Sequence, residues 1–172
     1  MRNLLKRISA LLLCLLLVLS LPVTALAEEA QDSEEGTTLR IARRQQFLDF
    51  AENCRLDSYS RNLSVILLTD IDLTGVDFSG IPIFCGNFDG NGHTVSGLSI
   101  TRDGSNMGLF RYVDASGVIQ NLTVSGKVTP DGSHSAVGGI AGHNAGKIQN
   151  CFFDGTVSGS DDVGGIAGIN AI

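Results

Sequence analysis

The chain has 172 residues, 43% of them hydrophobic and 17% charged, with a formal net charge of −6, 21 glycines and no tryptophan. That acidic balance argues against a nucleic-acid partner, whose phosphates call for a basic surface. Collagen is excluded because the glycines follow no Gly-X-Y period, and simple disorder because they sit among Val, Ile, Leu and Phe at regular spacing.

Residues 1–27 read as a secretory signal. Arg2, Lys6 and Arg7 form a basic start, Ala10 to Leu19 an apolar core, and Ala25-Leu26-Ala27 a small-x-small cleavage site. The apolar run is too short to span a bilayer, so no membrane span is expected after cleavage. Leu13 precedes Cys14 where a lipoprotein cleavage site wants a small residue. Loss of the three signal bases takes the net charge from −6 to −9, and setting aside the five acids of Glu28 to Glu35 leaves −4 for the remainder. Residues 28–38 are therefore expected to be a flexible acidic N-terminus.

Residues 39–62 are predicted to form an N-terminal cap. From Arg43 to Cys54 the apolar residues Phe47, Phe50, Ala51 and Cys54 fall at i, i+3, i+4 and i+7, the stripe of an amphipathic helix. A helix in that position predicts a plug over the open end of a repeat array. The apolar run Leu63 to Leu68 then begins the first coil.

Residues 63–172 carry the repeats. Val137-Gly-Gly-Ile-Ala-Gly142 returns as Val163-Gly-Gly-Ile-Ala-Gly168, 26 residues later, and Gly117 to Gly126 returns as Gly146 to Gly155 at a spacing of 29. The difference is a loop insertion around Pro130-Asp131-Gly132. A divergent earlier copy begins at Met107-Gly-Leu-Phe110, with Gly108 and Leu109 in the places of Gly139 and Ile140. Ile119 and Ile148, Leu122 and Cys151, Val124 and Phe153, Val128 and Val157, and Ile140 and Ile166 are apolar in both copies and predicted to face inward. Thr123 and Ser125 alternate with Leu122 and Val124, the period of a strand. Propeller blades and hairpin arrays share such spacing, but a right-handed parallel β-helix with a short N-terminal capping helix, an all-β solenoid, fits best, its coils stacked about 4.8 Å apart. Asn121 with Asn150, and Asn144 with Asn170, recur at turn positions. Asn tolerates left-handed backbone angles, so these pairs predict stacked ladders. The array stops at Asn170-Ala171-Ile172, inside a repeat, which reads as truncation of a longer protein.

Of the cysteines after the signal, Cys54, Cys85 and Cys151 cannot all pair; one bridge with one thiol, and three buried thiols, both remain open.

Thr69-Asp-Ile-Asp-Leu73, Gly86-Asn-Phe-Asp-Gly-Asn-Gly-His-Thr-Val95, Met107 to Phe110 and the two Val-Gly-Gly-Ile-Ala-Gly copies together resemble the GLUG-motif proteins, from about Arg40 to Ile172. Phe84-Cys85 departs from the plainer loop of that family. The resemblance implies a pectate-lyase-like β-helix in a secreted or surface-attached bacterial protein, serving as stalk, adhesin or presentation scaffold. Similar repeats also precede the catalytic domain of immunoglobulin-A-specific metallopeptidases.

Candidate chemistry is sparse. Asp70 and Asp72 lie two apart on a strand and face one side. With Asp77 or Asp89 they are candidates for the calcium site that β-helix lyases use, with Arg102 or Arg111 as proton acceptor. Against that, the same acids suit turn amides. Asp89-Gly-Asn-Gly-His93 gathers an acid, an amide and an imidazole, but reads more simply as turn chemistry. His134 and His143 have no ligand partners at metal spacing. Gly142-His-Asn-Ala-Gly146-Lys147 has three residues where a phosphate loop needs four. Gly132 to Ala136 lacks the closing glycine of a nucleophile elbow, and no HExxH occurs. Asn62 and Asn121 head sequons of use only in a eukaryotic secretory pathway. No catalytic or cofactor-binding residue is assigned. The expected function is a non-catalytic secreted or cell-surface module, an adhesin or scaffold contacting extracellular glycan, host protein or cell wall as the N-terminal part of a larger protein. The alternatives are a polysaccharide-active β-helix enzyme and the repeat module of a metallopeptidase.

Overall fold

The computed structural model describes residues 36–131 and 135–171; the signal, residues 28–35, Gly132, Ser133, His134 and Ile172 lie outside the described residues. Strand β1 (Thr38–Ile41) and helix α1 (Arg44–Asn53) come first. Four coils of short parallel strands follow. The first holds β2 (Ser64–Leu67), β3 (Ile71–Asp72) and β4 (Ile81–Phe84), and the second β5 (Asn87–Asp89), β6 (Thr94–Ile100) and β7 (Phe110–Val113). The third holds β8 (Val118–Gln120), β9 (Thr123–Val128), β10 (Ser135–Gly138) and β11 (Ala141–Asn144). The fourth repeats that set as β12 (Lys147–Gln149), β13 (Phe152–Val157), β14 (Asp161–Gly164) and β15 (Ala167–Asn170).

Equivalent strands of successive coils pair in parallel, giving the sheets β1-β2-β5-β8-β12, β3-β6-β9-β13 and β4-β7-β11-β15, with β10-β14 as an extra pair. The described residues thus form a parallel β-solenoid with one short helix, the solenoid being what the repeats predict. Register follows the sequence copies: Ile119 pairs with Ile148, Val124 with Phe153 and Val128 with Val157. Phe110 pairs with Ala141, which seats Leu109 opposite Ile140. Val128 and Ser135 pair with Val157 and Asp161, so the three-residue insertion lies between them. Strand β1 pairs with β2 from Thr38 to Ile41, a partial coil with no sequence repeat to announce it.

Glycine lets the coils approach. At Gly126 φ is +149°, and a Cβ there would collide with the carbonyl oxygen of Leu98 in the coil beneath. Asparagine serves the turns, with Asn91, Asn121 and Asn150 all left-handed at φ of 52°, 52° and 51°.

Helix α1 is the plug expected of it. Phe47, Phe50, Ala51 and Cys54 are buried in the core. Gln46 Oε1 accepts the Ala42 N–H at 2.9 Å, just ahead of the helix. Phe47 meets Phe88 edge-on at 6.5 Å, and Phe50 meets Phe84 at 6.0 Å, so rings of the helix lock onto the first and second coils. The inward set holds through the third coil, where Ile119, Leu122, Val124, Val128 and Ile140 are almost wholly buried. In the fourth coil Ile148, Cys151, Phe153 and Val157 are only partly covered, and Ile166 is 37% exposed. Among the described residues only the third coil packs against it, and an inward-facing sequence pattern alone does not reveal the degree of cover.

Candidate functional site

The acidic residues singled out in the sequence sit at turns and strand ends. Asp70 and Asp72 flank the buried Ile71 and share the outer face, as their spacing predicts. Asp70 Oδ1 accepts the Thr94 backbone N–H at 2.9 Å and lies 3.1 Å from His93 Nδ1. Those two bonds hold its carboxyl below the usual range. Asp72 Oδ1 accepts the Thr74 N–H at 2.8 Å, and the side-chain and backbone bonds of Thr74 lower it likewise.

Asp89 lies on the first sheet, at the end of β5. Its Oδ1 accepts from the Asn91 backbone N–H at 2.7 Å and from Asn121 Nδ2 at 3.1 Å, and its Oδ2 from Gln120 Nε2 at 3.0 Å. Burial pushes its pKa up, but the bonds from Asn121, Asn91 and Gln120 outweigh it and leave the group lowered. Asp77 pairs with Arg102. Each acid therefore completes a different turn or pair, and no three His, Cys, Asp or Glu side chains among the described residues converge in a way that would hold a metal ion. Arg111 bonds elsewhere, donating from Nε to the Asn106 carbonyl at 3.4 Å and from a terminal nitrogen to the Ser105 carbonyl at 3.1 Å. His143 stacks on Tyr112, rings 4.9 Å apart.

Both asparagine ladders are present. Asn150 Nδ2 donates to Asn121 Oδ1 at 3.3 Å, and Asn144 Nδ2 to Asn170 Oδ1 at 2.7 Å. Asn144 is buried and also bonds the Gly146 carbonyl and N–H, each at 3.2 Å, closing the turn between β11 and β12. A third ladder joins glutamines, which the asparagine pattern does not announce. Gln149 Nε2 donates to Gln120 Oε1 at 2.7 Å, extending the Asp89–Gln120 contact through three coils. Its signal was in the repeat, since Gln120 and Gln149 occupy one position of the matched Ile-Gln-Asn segments.

The three described cysteines are free thiols. Burial, with Cys85 nearby, pushes Cys54 up to about 12. Cys151 packs against the core opposite Leu122, its pKa raised by burial, with Sγ 3.2 Å from the Gln149 carbonyl.

Residues 133–158 match the model of the GLUG motif. Halomucin of Haloquadratum walsbyi is 42% identical over 90 residues, 51% of this chain and 1% of its own length. A putative Gly-rich membrane protein of Evansella cellulosilytica is 35% identical over 96 residues, 49% of this chain and 11% of its own. The chain thus spans only a small part of the curated relatives it matches. No solved structure gives a significant match. Among the described residues no helix is long and apolar enough to cross a membrane.

Proposed function

We propose that this chain, a GLUG-motif repeat protein built as a parallel β-solenoid, is a non-catalytic scaffold displayed outside the cell. The observation that carries this reading is the use made of the polar residues the repeats retain: Asn121, Asn150, Asn144, Asn170, Gln120 and Gln149 bond between coils, and Asp70, Asp72 and Asp89 bond turn donors. Side chains so employed build a rod whose surface is free to vary, as repeat architectures do. The similarity to halomucin and to a Gly-rich membrane protein supports a surface or extracellular setting. Their far greater length supports a role as one module of a larger surface protein that meets glycan, host protein or cell wall.

Proteinase K added to intact cells producing an epitope-tagged full chain tests the setting: the tag should be lost while a cytoplasmic marker survives. Protection of the tag in unbroken cells would refute it. The non-catalytic half is tested by assaying purified protein for new reducing ends on acidic and neutral polysaccharides. Turnover that disappears in the Asp70→Ala, Asp72→Ala double variant would overturn it.

A further inference from the structure

On the outer face of the first two coils, beside α1, two adjoining depressions of about 450 and 510 Å³ share Pro82 and Arg111. Their lining is unlike the rest of the surface. Residues 36–172 carry a formal charge of −4, yet three of their nine Lys and Arg residues, Arg55, Arg102 and Arg111, line the larger depression. Tyr112 lines the smaller with Pro82 and supplies an apolar wall.

Arg111 is held in place. Its stem crosses Gly80, where φ is +88° and a Cβ would stand 2.8 Å from Arg111 Cγ and 2.6 Å from the Gly108 carbonyl oxygen. Its guanidinium has five N–H donors, and the bonds to Ser105 and Asn106 use two. Three remain, on a fork already oriented and suited to a carboxylate. Arg55 and Arg102 stand at the rim in exposed pairs with Glu52 and Asp77. Such pairs contribute little and exchange readily for a ligand carboxylate.

The geometry points to a binding groove for an acidic polysaccharide, Arg111 taking a uronate carboxylate in its fork while Pro82 and Tyr112 carry the apolar face of a neighbouring sugar. Asp103 lies on the same rim, and with the acidic surround it selects carboxylates separated by neutral sugars over a dense polyanion, whose further charges would meet like charge. This inference rests on the extracellular reading above and deepens it by naming a ligand class and a site.

The test is calorimetric titration of the full chain with three probes: a hyaluronan decasaccharide, in which glucuronate alternates with a neutral sugar; the same decasaccharide with its carboxyls reduced; and poly-glutamate of equal charge. The first should bind, and carboxyl reduction should weaken it about tenfold or more, the loss expected for a charged forked pair. Poly-glutamate should bind more weakly than the decasaccharide. Arg111→Gln should cost about tenfold or more in affinity with an unchanged circular dichroism spectrum, and Arg111→Lys should restore only part, since a point charge does not fork. Lys127→Gln, on another sheet, should change nothing. Should Arg111→Gln unfold, the Arg55→Gln, Arg102→Gln double variant of exposed residues should still weaken binding several-fold. No decasaccharide binding, binding indifferent to carboxyl reduction or to the folded groove variants, or tighter binding of poly-glutamate overturns the proposal. Failure of these titrations with a chain shaved from intact cells sinks the groove alone, whereas a chain protected in intact cells sinks the reading beneath it.

Discussion

Phe88→Ala is the perturbation that most directly tests how the capped end is held. Phe88 is fully buried on β5, with the rings of Phe110, Phe50, Phe84 and Phe47 at 5.3, 5.9, 6.2 and 6.5 Å. Truncating a buried Phe costs about 3–5 kcal/mol through lost transfer energy and the cavity left behind. Each well-oriented ring pair adds about 0.5–1.5 kcal/mol beyond area. Four neighbours from the helix and two coils place Phe88 at the upper end, about 4–5 kcal/mol, a large share of the roughly 5–15 kcal/mol that holds an ordinary domain folded. Phe152→Ala is the control, because Phe152 is 62% exposed on the fourth coil and should cost no more than about 0.5 kcal/mol. Urea unfolding followed by circular dichroism measures both, with an unchanged slope needed to compare midpoints. A double-mutant cycle with Phe47→Ala should be non-additive, since the two rings meet. A Phe88→Ala cost below about 1 kcal/mol, or strict additivity with Phe47→Ala, would refute the view that α1 is packed onto the second coil as a plug.

Stability should also depend on pH in one direction. The folded-state values of Asp70, Asp72 and Asp89 lie below the usual 3.8, so their contribution is complete above that value and lost as pH falls through the folded values. The urea midpoint should fall below about pH 4, and Asp89→Asn should shrink the fall; an equal acid response in that variant would contradict it. Thiol labelling of native protein at pH 8, mapped by mass spectrometry, should modify Cys151 first and Cys54 last, because Cys54 is fully buried with its pKa at about 12. The reverse order would discredit the placement of Cys54 beneath the cap. Asn144→Ala removes the partners of the Gly146 N–H and carbonyl in a buried turn and should cost about 1–3 kcal/mol. Asn150→Gly keeps the left-handed backbone and drops only an exposed amide contact, so it should cost no more than about 0.5 kcal/mol. Equal losses from the two would remove the distinction between the ladders.

Coil register was legible because in a solenoid the sequence period is the hydrogen-bonding period. Ile119 and Ile148 align as text and pair as strands for the same reason, and Asn121 and Asn150 stack because the period returns them to one turn. The helix was legible from the spacing of Phe47, Phe50, Ala51 and Cys54. Strand β1 was not, since Thr38 to Ile41 have no repeat counterpart and gain their role only from the exposed edge of β2. The Gln120–Gln149 contact is hard to read because glutamine ordinarily means surface, and only its recurrence at a coil position gives it a partner. The partial exposure of Ile166, against full burial of its counterpart Ile140, is a degree of cover that no alternation pattern encodes. The groove is harder still. Arg55 follows the helix, Arg102 and Arg111 come from the second coil, and Pro82 from the first, so stacking brings together residues that no motif spacing joins.

The groove lies where the coils are most fully packed, and that placement favours recognition. In a repeat array each coil is stabilised by its own packing and by its interfaces with neighbours. The first and second coils have a full set: β1 and α1 on one side, the third coil on the other, and a cluster of aromatic rings between. Arg111 and Tyr112 belong to β7, whose Phe110 and Val113 are fully buried beneath them, and Arg55 follows directly on the helix that plugs the core. A binding residue loses less entropy when its backbone is already fixed. The cap thus does two things with one element: its buried face closes the coils against water, and its C-terminal end places a cation at the rim of the groove.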